Sequence, residues 1–595
     1  MIVFVLISLL YTLSSFLYLR VAAIEHTLIS TAVLAVLAGV LLFREFRKPV
    51  FIVLEKTQKP DESNKSLENT ENTQVTQKSE QNGLRNRKAI VEKHDGFEVH
   101  HQDENKMIIK HYSADKPLLK LWALVYLVLL LFSIDQTFKP LFQTENNLTF
   151  TRLGHITHNT AKIAFRIHPS SFYQETKDYE DSRVIANEII LLKYAKIQYR
   201  GQKAYPKTLE WLKTETLSTL NQYSDYTGLY KLSNLDSSSL YYIQFLIKNN
   251  NKLLSELEFK TAPNPGEPTT LKFGSGSCIK PNFPYVPASA PSITGLRRMS
   301  KHNLDMVMFM GDFIYADSPH FFGPQIEDYR RLYRQVYAID DTKNLVSNVP
   351  MLHIYDDHEI TDNWDSKQSP PYNNAMKAYW EYNGLYNPDS PFPNALYYNF
   401  TFGDIAFYVW DTRGNRDSHK IEDSPQKTML GQEQKNHFFQ WLKHVNHTSA
   451  VKFVVSSVPL AYVWDCADAK EDTWGGYRYE REEILSYTKY VPNLFFLSGD
   501  RHETAVVRLS SDNIEFSTSP VNQFSLPYVN NHVSYSGGDI TEYFIQPGQI
   551  KYGVIEVDTK TDPNIPKVKY NLFTNNEQDE NTPNYVYEAE CEEWK

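Results

Sequence analysis

Residues 306–317 read MVMFMGDFIYAD: five apolar residues, then Gly311-Asp312, Tyr315 and Asp317. A run of five is too short for a helix and has the length and make-up of a buried strand, so the polar group after it sits at that strand's carboxyl end. The pattern recurs. Leu271-Lys-Phe273 leads into Gly274-Ser-Gly-Ser-Cys278, and 351–355 leads into Asp356-Asp357-His358-Glu359. Residues 405–410 lead into Asp411-Thr-Arg413, and 493–497 into Ser498-Gly499-Asp500-Arg501-His502. Helix-like segments at 326–336, 432–445 and 478–487 fall between them, which predicts an α/β fold with largely buried sheets. In such folds ligands sit beyond the carboxyl ends of the strands, so these loops are expected to converge on one site.

The groups that would meet are a thiol (Cys278), carboxylates (Asp312, Asp317, Asp356, Asp357, Asp500), imidazoles (His358, His502), a phenol (Tyr315) and guanidiniums (Arg413, Arg416). Crowded carboxylates cannot all ionise without cations, and the added imidazoles point to a multi-metal centre. A metal acidifies bound water, and two metals clamp the attacking and departing oxygens of an in-line displacement, the chemistry of phosphoester hydrolysis. Arginine supplies the planar fork that matches a phosphate. Each signal alone has a plainer reading. Cys278 would be a small buried hydrophobe, Gly311-Asp312 an ordinary turn, and Asp356-Asp357-His358-Glu359 a helix start. Their recurrence at successive strand ends favours the site.

The rest of the chain bounds the answer. It has 595 residues, 42% hydrophobic and 22% charged, with 23 Gly and 30 Pro, which excludes collagen-like and wholly disordered proteins. Sixty-one basic against 71 acidic residues give a net charge of -10, so duplex nucleic acid is not an expected partner. Cys278, Cys466 and Cys591 are too few for a disulfide scaffold; a Cys466–Cys591 bridge and two unpaired thiols are both open. No protein partner is legible.

Residues 1–135 read as a membrane module with three candidate spans, 2–19, 27–43 and 118–134, each near the length that crosses a hydrocarbon core of about 30 Å. A cleaved signal peptide is the alternative for the first, but it lacks a basic leading region. The polar loop 44–117 is expected to be disordered, most of all at 57–88, and its lysines and arginines place it on the cytoplasmic side. Everything beyond about 135 would then be lumenal or extracellular, where Asn147, Asn399 and Asn446 stand in glycosylation sequons. Residues 145–265 show short alternating segments at 160–167, 184–192, 226–232, 239–248 and 254–261, which predicts a β-sandwich. The stretch 232–245 resembles the tyrosine-bearing strand late in a fibronectin type III-like domain.

Residues 269–595 carry a further resemblance. Gly276-Ser277-Cys278, Gly311-Asp312-Phe-Ile-Tyr315, Asp356-Asp357-His358-Glu359 with Asp362-Asn363, Asp411-Thr-Arg413 with Arg416, Asp472-Thr-Trp474-Gly-Gly-Tyr477 with Arg481, and Ser498-Gly499-Asp500-Arg501-His502 together resemble the PhoD-like, or alkaline phosphatase D, metallophosphatases. With its spans the chain is most similar to the fungal membrane-anchored type. The resemblance implies two sheets flanked by helices and a site of iron(III) and calcium. Cys278, Asp312 and Tyr315 would lie at iron, Asp357 and Asn363 at calcium, and Asp500 and His502 would complete the set. Arg413, with Arg416 assisting, would hold the phosphate, His358 would touch it or donate a proton, and a metal-bound hydroxide would attack. Arg501, where the family commonly has a small aliphatic residue, and Gly414-Asn415 depart from the pattern. The expected activity is metal-dependent phosphomonoester or phosphodiester hydrolysis at a membrane. A lipid- or glycan-anchor phosphodiesterase is a variant, and a non-catalytic scaffold that kept the fold is the alternative of another class.

Overall fold

The computed structural model describes residues 10–15, 33–40, 50–55, 91–94, 97–103, 106–111, 117–171, 190–199, 207–217, 221–248, 250–281, 285–286, 290–321, 323–464, 467–524, 532–575, 580–589 and 591–594. Two compact units divide the chain near residue 134.

In the first unit, 10–15 and 33–40 are helical. The helix Pro117–Phe142 begins in this unit and is longer than the predicted 118–134. Among the described residues it is the one helix long and apolar enough to cross a membrane. The expectation of disorder for 44–117 needs correction in part. Val50–Glu55, Lys106–His111, Phe97–Asp103 and Val91–His94 form an antiparallel sheet in that order. The alternation of Phe97-Glu-Val-His100 and the short apolar run Met107-Ile-Ile109 are strand patterns that the polar composition of the loop concealed. The most polar part, 57–88, lies outside the described residues.

The second unit begins with a β-sandwich. The sheet Phe150–Ile156, Thr160–Arg166 and Thr227–Ser233 shares one core with the sheet Leu253–Lys260, Leu240–Ile247, Ile190–Tyr199 and Lys207–Leu217. Phe165 of the first meets Phe245 of the second at 6.0 Å.

Two larger sheets follow. The first has six strands in the order Met351–Ile354, Met306–Met310, Thr270–Gly276, Lys551–Asp558, Lys567–Thr574 and Tyr585–Ala589, the leading three parallel. The second has eight, with a parallel centre of Ile405–Val409, Val451–Val455, Leu494–Ser498 and Ile514–Thr518. Side chains alternate faces along a strand, and here both faces are apolar. Ile405, Phe407 and Val409 enter the core shared with the first sheet, while Ala406 and Tyr408 join a second core with the helices Gln432–Val445 and Arg478–Thr488. Phe273 packs at 5.5 Å from Phe407 and 5.3 Å from Phe453, closing the space between the sheets. This layering is what makes the strands read as unbroken apolar runs.

Candidate metal centre

The parallel strands of both sheets end at one edge, and their following turns are stitched together there. Cys278 N–H donates to Gly311 O at 3.1 Å and Ile279 N–H to Asp312 O at 3.0 Å. Gly499 N–H donates to Ser457 O at 3.1 Å, and Asp500 N–H to Ser277 Oγ at 3.0 Å. The two sheets approach so closely that a Cβ on Gly499 would lie 2.3 Å from Ser277 Oγ. Gly311 has φ +99°, and a Cβ there would lie 2.6 Å from that of Asp356. Both glycines therefore allow a contact between turns that carry site residues.

Four of those residues hold left-handed backbone: Cys278 at φ 63°, Asp312 at 57°, Asp500 at 71° and His502 at 54°. Non-glycine residues in this region are uncommon and cluster where surrounding structure fixes them for function. Here the fixing is visible. Glu359, buried, accepts from the backbone N–H of Asp312 (3.1 Å), Phe313 (2.7 Å) and Asp356 (2.9 Å), tying two strand-end turns to one carboxylate.

Asp312 is the hub. Ligand-type atoms of Cys278, Asp312 and His502 lie within 4.8 Å of one another, as do those of Asp312, Asp357 and His358 and those of Asp312, Asp356 and Asp500. The Cys278 thiol donates to Asp312 Oδ2 at 3.2 Å, and Tyr315 Oη lies 3.2 Å from the same oxygen and 3.0 Å from His502 Nε2. Asp312 Oδ1 and Asp356 Oδ2 are buried without a hydrogen-bond partner, and Asp500 Oδ2 has only Arg501, 3.5 Å away. Burial, then Asp357, Asp356 and Glu359, hold Asp312 well above the carboxylate range against the pull of His358. Burial and Asp357 push Asp356 up to about 6 against Arg413. Burial raises Asp500 well above its ordinary value, with Asp356 and Asp357 adding to it and Arg501 opposing. Unpartnered carboxylate oxygens turned on one another are costly unless a cation sits among them. The donor set of thiol, phenol, imidazole and carboxylates fits metal ions.

The other expected residues divide. His358 Nδ1 lies 2.8 Å from Asp317 Oδ1. Burial lowers its affinity for a proton, but Asp317, Asp357 and Asp312 together raise it well above the ordinary value. Asp356-Asp357-His358-Glu359 forms a turn, so the helix-start reading does not hold. Asn363 is beside Asp357, but through its backbone N–H at 2.5 Å; its side chain turns to Asp362.

The expected role of Arg413 needs correction. Its guanidinium is fully buried and engaged on protein carboxylates. Nε donates to Asp356 Oδ1 at 2.5 Å, and the two terminal nitrogens grip Asp472 bidentately at 2.8 and 2.7 Å. No fork is left for a phosphate. Arg416, also buried, donates to Tyr477 Oη at 2.9 Å and pairs with Asp472 at 3.0 Å. Arg413 holds the carboxylate framework, whereas both terminal nitrogens of Arg416 are buried without a hydrogen-bond partner. Asp356 joins the site as expected, while Glu359 and Asp472 are parts of it that were not assigned from sequence, though each stands in a quoted motif. Cys591 is a free thiol, and Cys466 lies outside the described residues.

Strand-end carboxylates, a thiol and imidazoles gathered at one edge of a two-sheet sandwich define the chain's class as a metallophosphatase-type fold. The family model of PhoD-like phosphatases matches residues 273–562, and that segment belongs to this family. Alkaline phosphatase D of Bacillus subtilis (strain 168) is 26% identical over 353 residues, 51% of this chain and 57% of its own length, so the match leaves more than a third of that relative uncovered. A solved structure titled "Structure of PhoD" superposes with a TM-score of 0.55 at 17% identity, over 76% of this chain and 93% of its own, a likeness of fold.

Proposed function

We propose that the chain is a metal-dependent phosphoester hydrolase. The observation that carries this is Asp312, shared by three ligand-type clusters while one of its own buried oxygens lacks a partner. The family of residues 273–562 and the strand-end placement of the site support it. Cys278, Asp312, Tyr315 and His502 would hold one ion, and Asp312, Asp356, Asp357 and Asp500 a second. Thiol and phenol donors on the first suit iron(III), and an all-carboxylate set suits calcium. When bound, such ions polarise the phosphoryl oxygens and acidify water.

The chain's own groups do the rest. Glu359 and Arg413 hold the carboxylates in place, and backbone locked at positive φ aims them. His358, oriented by Asp317, keeps a proton for the leaving oxygen. The enzyme is read as anchored by its apolar helix with the site on the lumenal or extracellular side. Asn147, in one of the three sequons, is exposed.

The test is release of nitrophenol from a nitrophenyl phosphate monoester and from its diester, with and without chelator. Release abolished by chelator and restored by added metal is expected. Chelator-resistant release would contradict the metal dependence, and no release from either ester would favour the non-catalytic scaffold.

A further inference from the structure

A cavity of about 320 Å³ lies beside the metal centre. Its apolar wall includes Pro140, Leu148, Tyr285, Ile314, Leu332 and Val336. The last turns of the apolar helix Pro117–Phe142 form part of its rim through Gln136, Lys139 and Pro140. That rim is fixed to the catalytic fold. Gln335 Nε2 donates to Pro140 O and Gln143 O at 2.6 Å each, and Tyr285 Oη to Asp135 Oδ2 at 2.6 Å. The ring of Tyr315 is the partition: it lines the cavity while its hydroxyl reaches Asp312 and His502. Lys280, also in the lining, places Nζ 5.9 Å from the centre of that ring and donates to Ser318 Oγ at 2.6 Å. Of the charged lining residues, Lys139, Lys280 and Lys343 outnumber Glu145 and Asp340.

An apolar hollow with cations beside a phosphoester site suits a ligand that is greasy at one end and anionic at the other. The volume lies at the lower end of the roughly 300–1,000 Å³ typical of small-molecule sites, enough for one chain rather than a whole bilayer lipid. Its rim is the end of the one described helix able to enter a hydrocarbon core, so an amphiphile leaving a lipid surface along that helix would meet this opening. We infer that the cavity receives the apolar chain of an amphiphilic phosphodiester, whose phosphate then lies beside Lys280 and Tyr315. This inference rests on the hydrolase reading and names its substrate class.

The probes are two soluble diesters, methyl and octyl 4-nitrophenyl phosphate, given to the full-length chain in lipid nanodiscs. In each, water adds at phosphorus and the bond to the aryl oxygen breaks. 4-Nitrophenolate and a proton leave, and the alkyl group stays on the phosphate. Burying seven extra methylenes should lower KM for the octyl ester at least about tenfold. Ala338→Phe, which fills the cavity away from the metal ligands, should erase that preference and leave methyl ester turnover unchanged; Leu332→Trp is the second variant should the first misfold, as judged by the methyl ester. Equal KM values for the two esters, or a preference that survives cavity filling and so reflects partition into lipid, would overturn the inference. No release from either diester while 4-nitrophenyl phosphate is still cleaved would overturn the inference and leave the hydrolase reading standing; no release from all three esters would overturn the hydrolase reading.

Discussion

At Arg413 the residue type was legible in the sequence and its partners were not. An arginine after a strand in a carboxylate-rich set reads as a phosphate fork. Burial and two aspartates, one of them 59 residues further along the chain, turn it into a clamp. With four of its five N–H groups donated to protein, the guanidinium has no two-pronged fork to offer substrate, so Arg413→Lys should act on kcat. Loss of the bidentate grip lets Asp356 drift, and a fall in kcat of about 10- to 100-fold, partly rescued by excess metal, is expected with KM little changed. Steady-state kinetics across a metal titration checks this. A large rise in KM at unchanged kcat would return Arg413 to the phosphate. The same blindness hid Glu359, whose three backbone donors come from two turns that only the fold brings together, and the positive φ of Cys278, Asp312, Asp500 and His502, which no residue type announces.

Among the elements, the buried strands were readable because both their faces are apolar, and the helix Gln432–Val445 falls where its pattern predicts. The misses have a cause. Lys207–Leu217 reads Lys-Thr-Leu-Glu-Trp-Leu-Lys-Thr-Glu-Thr-Leu and sits at a sheet edge, with Leu209, Trp211 and Leu212 exposed, so no inward face marks it as a strand. The strand Phe150–Ile156 falls outside the segments read as strands because buried Thr151 and Arg152 break its apolar pattern. The turn after Leu494–Ser498 carries a prediction. Gly499→Ala drives a methyl into Ser277, whose hydroxyl receives Asp500 N–H and contacts Cys278 Sγ at 3.0 Å. Overpacking there should cost about 1–3 kcal/mol in chemical denaturation and weaken metal binding as well. Full stability with native metal affinity would show that the two sheets are not held this tightly.

Across the whole second unit, the sandwich and the catalytic sheets are joined by buried charge. Arg152 donates to Met351 O at 3.1 Å and Tyr382 O at 2.9 Å. Asp225 of the sandwich accepts from Arg166 at 2.9 Å, from Arg334 of the catalytic part at 2.7 Å, and from the Tyr382 hydroxyl. Burial pushes Asp225 up, but Arg166 and Arg334 hold it below the usual carboxylate value. A carboxyl lowered by folding stabilises above its unfolded value and ceases to as pH falls through its folded one. Asp225→Asn, which strands two buried guanidiniums, should therefore cost about 3 kcal/mol at neutral pH. The gap in melting temperature between wild type and variant should shrink as pH drops below about 4. A gap constant from pH 7 to 3 would contradict the linkage. This junction lay beyond sequence reading, since Asp225 stands among turn residues and its partners are scattered over more than one hundred positions. The account as a whole rests on cations held at Asp312, and metal analysis of the purified chain beside Asp312→Asn tests it most directly. It predicts about two ions per wild-type chain and fewer than one in the variant, as expected when the ligand shared by both sites of a two-metal centre is lost. Equal metal content in the two proteins, or none in either, would contradict it.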